Sequence, residues 1–196
     1  MLTYLLHAFN GPAGLFMYLL LAVAAFATGV VIDRTLQVMR FRVDPEQALK
    51  NALDKTDSKA GLGATPLEAV LAAGAAQPDY ERAWDAMTAE SIRAEQQIRR
   101  RIPYLATIAS LATMIGLFGT VYGLILAFGS MGNVAAAERA AHLSEGSSTA
   151  MASTAFGLLV AIPALAAHAG FEAWARDQLA EIERAATRLA LLLPRA

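Results

Sequence analysis

RRRIPYLATIASLATMIGLFGTVYGLILAF, residues 99–128, joins a basic triplet to the chain's longest charge-free run. Three arginines precede an apolar run without charge from Ile102 to Ala137. A hydrocarbon core about 30 Å thick takes roughly 20 helical residues to cross, and this run is long enough. It nevertheless holds Gly116, Gly119, Thr120 and Gly123. Glycine weakens a helix, and a hydroxyl in hydrocarbon needs a partner. Positions i, i+3, i+4 and i+7 share one helical face, so these four residues form a single small stripe, with Gly119 and Gly123 in GxxxG spacing. In lipid such faces let two backbones approach closely.

Two further runs lack charge, Gly11 to Ile32 and Gly146 to Phe171. Hydrophobic residues make up 56% of the 196-residue chain and charged ones 17%, against roughly 45–50% and about 25% in ordinary soluble domains. The expected fold is an all-α integral membrane protein. Three transmembrane helices, at 13–32, 104–128 and 149–171, carry long cytoplasmic helical extensions at 33–103 and 172–196. Residues 1–12 then form a periplasmic N-terminus and 129–148 a periplasmic loop. The N-terminus lacks a basic region and a cleavage site, so 13–32 reads as a retained span rather than a signal peptide.

Basic residues set the orientation, because those nearest the membrane stay cytoplasmic. Arg34, the triplet Arg99, Arg100 and Arg101, and Arg176 all flank the expected spans on one side, whereas the loop between the second and third spans holds only Arg139. Within the cytoplasmic part, Asp44 and Pro45 open one helix and Pro66 a second. The glycine-free run from Tyr80 to Arg101 is expected to continue through Pro103 into the second span as one long helix, bent at the proline. In the tail, Leu179, Ile182, Ala186, Leu189 and Leu193 make an apolar stripe that reads as plain helix packing.

Several chemistries have no residues to carry them. The chain has no cysteine, and no His cluster or HExxH marks a metal site. It has no phosphate-binding glycine loop, and its net charge of −1 points to no nucleic acid. His168 lies fifteen residues beyond Ser153 on the same expected helix, or roughly 22 Å at 1.5 Å per residue, too far for a Ser–His dyad. Neither catalytic residues nor an enzyme is expected, nor a cofactor or bound metal. The spans also contain no acidic residue. A buried ionisable group is the usual mark of an ion relay, so a carboxylate for ion movement has to come from a partner.

On the second span Thr107, Ser110, Thr113 and Thr120 add a weakly polar face beside the glycines. On the third, Ala150, Ser153, Thr154, Gly157 and Ala161 form a comparable stripe, with Thr149 one turn before Ser153. Packing alone accounts for such faces, since membrane threonines often bond their own i−4 carbonyl. The functional alternative is that the two stripes meet and line a polar path or a slot for another helix.

Residues 99–128 and STAMASTAFGLLVAIPALAAHAGF (148–171) resemble the second and third spans of the TolQ/ExbB/MotA proton-channel family, and VIDRTLQ (31–37) resembles that family's exit from the first span. The three-span layout is similar to the TolQ/ExbB branch. The resemblance implies a ring subunit of a stator-like energy converter in the bacterial inner membrane, with its N-terminus periplasmic and its C-terminus cytoplasmic. The ring would be a homopentamer in the lipid bilayer around two copies of a single-span ExbD/TolR/MotB-like protein, whose membrane aspartate carries H+ or Na+. Ion flow would do mechanical work on a periplasmic or cell-surface load, in Tol or TonB-type transduction or gliding. By position, Thr120 and Thr154 match the family's two pore threonines, and Ser153, Thr149 and Thr113 fall on the same path. Gly116, Gly119, Gly123 and Gly157 match its packing glycines and Pro163 its third-span proline. The family commonly has a glutamate where this chain has Thr149 and a proline where it has Thr113; a neutral, hydroxyl-rich path suits sodium as well as protons. The alternative is a non-conducting helical membrane scaffold.

Overall fold

The computed structural model describes residues 14–41, 45–53, 65–133, 135 and 137–194. The expected periplasmic N-terminus and Asp44 lie outside them. Among the described residues the regular structure is helical: α1 (Gly14–Arg40), α2 (Pro45–Leu53), α3 (Pro66–Ala75), α4 (Tyr80–Arg99), α5 (Ile102–Gly129), a 3-10 turn (Ser130–Asn133) and α6 (Arg139–Leu192). Among the described residues three segments are long and apolar enough to cross a membrane: Gly14–Met39, one within Tyr80–Gly132 and one within Arg139–Leu192. The chain divides into two compact units.

One unit comprises the described part of Met1–Ile32 with Pro103–His168. Its core is narrow and rich in alanine: Leu20 of α1, Ala109 and Ala112 of α5, and Val160, Ala161 and Ala164 of α6. Small residues at the seam turn the large ones away from it. Leu117, Phe118, Val121, Ile125, Leu159 and Ile162 are exposed, a girdle of apolar surface that suits hydrocarbon rather than water.

The other unit comprises Asp33–Ile102 and Ala169–Ala196. Two of its helices, α3 and α4, start where a side chain satisfies the first free N–H groups. Thr65 caps α3 in a reciprocal box with Glu68, with Pro66 in the first turn, and the Asp79 side chain accepts from the Arg82 N–H of α4 at 2.9 Å. Val70, Leu71, Met87 and Ile98 form the core with Ile182, Ala186 and Leu189 of α6, and Leu179 and Leu193 pack at its border. The apolar stripe of the tail is thus spent on helix packing. Phe41 stacks on Trp174 at 6.3 Å between ring centroids.

Two expectations need correction. The run from Tyr80 does not continue as one helix into the second span. Helix α4 stops at Arg99, Arg100 turns extended (φ −53°, ψ 130°), Arg101 takes a left-handed φ of 68°, and α5 begins afresh at Ile102. The break puts Pro103 in the first turn of α5. There its missing N–H costs nothing, whereas inside a continuous helix it would clash with the Arg99 carbonyl. The expected loop at 129–148 is also shorter, because α6 is helical from Arg139 and runs unbroken through Pro163 to Leu192.

Arg34 also behaves differently from a membrane-edge cation. Its side chain is only 2% exposed, and Nη1 donates to the Ile98 carbonyl at 3.3 Å. Nε lies 3.6 Å from Asp33 Oδ2, which is 3.0 Å from Arg101 Nη1.

Candidate functional site

The two small stripes meet. A Cβ built on Gly116 would stand 2.9 Å from the Ser153 carbonyl oxygen and 3.1 Å from Gly157 Cα, and one on Gly157 would stand 2.7 Å from the Ala112 carbonyl oxygen. Both are below ordinary van der Waals separation from backbone atoms, so glycine at these two positions is what sets the distance between α5 and α6. Gly123 is buried as well. A Cβ on Gly119 would lie 2.8 Å from Ser153 Oγ and 3.2 Å from Phe16 Cβ.

This close approach brings three hydroxyls together. Thr120 and Thr154 are in direct hydroxyl–hydroxyl contact, and Ser153 Oγ is 3.4 Å from Thr120 Oγ1. Two carbonyls accept from the group. Ser153 Oγ is 2.7 Å from the Ala150 oxygen and 3.1 Å from that of Gly116, Thr154 Oγ1 is 3.1 Å from the Gly116 oxygen, and Thr120 Oγ1 lies 3.1 Å from the Ala150 oxygen and 3.3 Å from that of Gly116. Ser153 is fully buried, while Thr120 and Thr154 are half-buried. The threonines therefore present the accessible edge of the cluster and the serine its floor. Chemically the group can donate to a carboxylate or offer oxygens to a cation, and it carries no charge of its own.

The remaining expected site residues lie elsewhere or differ in kind. Thr113 shares the face of Thr120 two turns away, but its hydroxyl donates to its own Ala109 carbonyl at 3.0 Å. It borders a shallow groove with Ala106, Ala109, Ser110, Met114 and Leu165 rather than joining the cluster. Thr107 likewise lies 3.4 Å from the Pro103 oxygen. The side chain of Thr149 is outside the described residues. Pro163 is exposed inside α6.

Three contributors were not legible in the sequence. The Gly116 and Ala150 carbonyls are backbone atoms with no letter to mark them. Phe16 of α1, one aromatic in an apolar run, stands over Gly119 and packs edge-on against Phe118 and Tyr122, each with ring centroids 5.4 Å apart. Among the described residues no group of acidic, His or Cys side chains is arranged to hold a metal.

The sequence profile of the MotA/TolQ/ExbB proton channel family matches residues 46–184, which include the whole cluster. The chain belongs to this family. Its similarity to individual MotA/TolQ/ExbB proteins is partial. It is 38% identical over 88 residues to the Tol-Pal system protein TolQ of Pseudomonas aeruginosa, covering 45% of this chain and 38% of that protein. It is 39% identical over 83 residues to TolQ of Haemophilus influenzae, covering 42% and 36%. To the biopolymer transport protein ExbB of Neisseria gonorrhoeae it is 42% identical over 79 residues, covering 37% and 34%. The matched stretch is less than half the length of each of these relatives.

Proposed function

We propose that the chain is the ring subunit of an inner-membrane, ion-driven stator. It would couple a proton or sodium gradient to mechanical work on a periplasmic or cell-surface load, in Tol or Ton-type transduction or in gliding. The observation that carries this reading is the Thr120–Thr154 hydroxyl pair, held where two apolar spans, 104–128 and 149–171, meet without an acidic residue in either. A neutral donor and acceptor pair in hydrocarbon is suited to receive a carboxylate from another chain as it gains and loses an ion. The partner is then a single-span protein of the ExbD/TolR/MotB kind with a membrane aspartate, in two copies within a pentameric ring. The N-terminus is periplasmic and the C-terminus cytoplasmic, as the arginines flanking the spans favour.

The test is co-expression with a single-span, aspartate-bearing protein of the ExbD/TolR/MotB kind. The two are expected to co-purify from membranes, and Thr120→Val with Thr154→Val is expected to abolish ion flux while the complex still forms. A complex that never forms, or flux that survives the double change, sinks the proposal.

One observation favours a second reading. The three hydroxyls bond among themselves and to two carbonyls, so the cluster is complete without a visitor and serves equally in a non-conducting scaffold. In that case the double valine variant loses helix-pairing stability and nothing else.

A further inference from the structure

The hydroxyl cluster holds more donors than carbonyl acceptors. Within the helices, the Gly116 carbonyl already accepts the Thr120 N–H and the Ala150 carbonyl the Thr154 N–H. A carbonyl oxygen has two lone pairs, so each has one left. Three hydroxyl protons therefore face two carbonyl lone pairs, and one proton must go to another hydroxyl. The distances decide which. Ser153 has the shortest contact, 2.7 Å to Ala150. Thr154 has one carbonyl in reach, Gly116 at 3.1 Å. The Thr120 proton is left for Thr154 Oγ1, with which Thr120 is in direct contact.

We infer that Ser153 is a positioning residue. By occupying the Ala150 carbonyl it keeps the Thr120 O–H directed within the threonine pair, where a partner's carboxylate can accept a hydrogen bond from it while the proton stays on the hydroxyl. The inference rests on the proposed function above. Without the serine hydroxyl, the Ala150 lone pair is open to Thr120 at 3.1 Å. Both threonine protons then sit on backbone carbonyls, and an arriving carboxylate has to break a hydroxyl–carbonyl bond to reach either. With the serine in place it exchanges only one hydroxyl–hydroxyl bond. Ser153 is fully buried and does not meet the carboxylate itself. Gly119 makes its position available, since a Cβ there would stand 2.8 Å from the serine oxygen.

The experiment uses the full chain co-expressed with its single-span partner. Proton and sodium flux are read separately with ion-sensitive dyes in membrane vesicles, for Ser153→Ala, Ser153→Cys and the Thr120→Val/Thr154→Val pair. Ser153→Ala is expected to lower flux about fivefold, the weight of one hydrogen bond, and Ser153→Cys, which keeps a weak donor, to recover part of it. A readout that packing alone would not move is the deuterium isotope shift at threonine Cβ in labelled protein. In Ser153→Ala the signals of Thr120 and Thr154 are expected to change, while those of Thr107 and Thr113 hold still. If the double valine variant stops flux and Ser153→Ala conducts like the parent with unchanged threonine signals, the positioning role is overturned and the proposed function stands. Should the double valine variant conduct normally, the proposed function falls and this inference with it. If Ser153→Ala does not fold, the same threonine signals in Ser153→Cys decide the matter.

Discussion

At the level of single residues, glycine is required by contact at some positions and merely tolerated at others. Gly116 and Gly157 face backbone atoms, which cannot step aside as a flexible side chain does. Alanine at either is expected to cost about 1–3 kcal/mol, the usual range for overpacking a tight core. Gly170 lies in the interior of α6 with nothing within 4 Å of a would-be Cβ. There alanine is expected to stabilise by about 0.5–1 kcal/mol, because it removes glycine's conformational cost. Thermal unfolding in detergent, comparing Gly116→Ala with Gly170→Ala, reads both signs in one assay. Equal shifts would refute the claim that the α5–α6 seam is set by backbone contact. Arg34 offers a second residue-level test. Its guanidinium is buried, with Nε and Nη2 unbonded and Asp33 as the nearby counter-charge. Asp33→Asn is expected to lower stability by about 1–2 kcal/mol, less than the loss of a well-formed buried pair because the contact is long and Asp33 is partly solvated.

The informative element is the break between α4 and α5. Arg101 stands at φ 68°, a conformation that costs a side-chain-bearing residue about 1–2 kcal/mol and glycine almost nothing. Arg101→Gly and Arg101→Ala both lose the contact to Asp33, so their difference isolates the backbone. Gly is expected to be the more stable by about 1 kcal/mol, reversing the order the two show inside helices. Melting temperatures in the helix order would mean the left-handed residue is not what separates the helices. Helix α3 provides a simpler case. Thr65→Ala removes a reciprocal cap with Glu68 and is expected to cost about 1 kcal/mol in the same measurement.

For the whole molecule, the charge-free runs already located three membrane-length segments, and the small stripes include Gly116 and Gly157, where α5 and α6 approach backbone to backbone. Those features are legible because they are periodic and compositional, and hydrocarbon enforces both. The break at Arg100 and Arg101 was not, since the preceding run is made of good helix formers and Pro103 fits a kinked helix as well as a first turn. Nor was the burial of Arg34, whose place beside an apolar run is also that of a membrane-edge anchor. The proposed orientation makes a prediction at this scale. A periplasm-dependent reporter fused after Ala135, between the second and third spans, is expected to be active, and one fused after Pro194 inactive. The reverse pattern would overturn the orientation and the side on which the load is engaged.

Helical character, three segments suited to a bilayer, and a face of glycine, serine and threonine on two of them are all readable along the chain. Composition and period suffice for this, because the cost of exposing polar backbone or charge to hydrocarbon leaves few alternatives. The convergence of Thr120, Ser153 and Thr154 without Thr113, and the competition of three hydroxyls for two backbone carbonyls, came from the packing of one helix on another. Hydrogen bonds depend on distances of a few tenths of an ångström between atoms of different helices, and no pattern along one helix contains them.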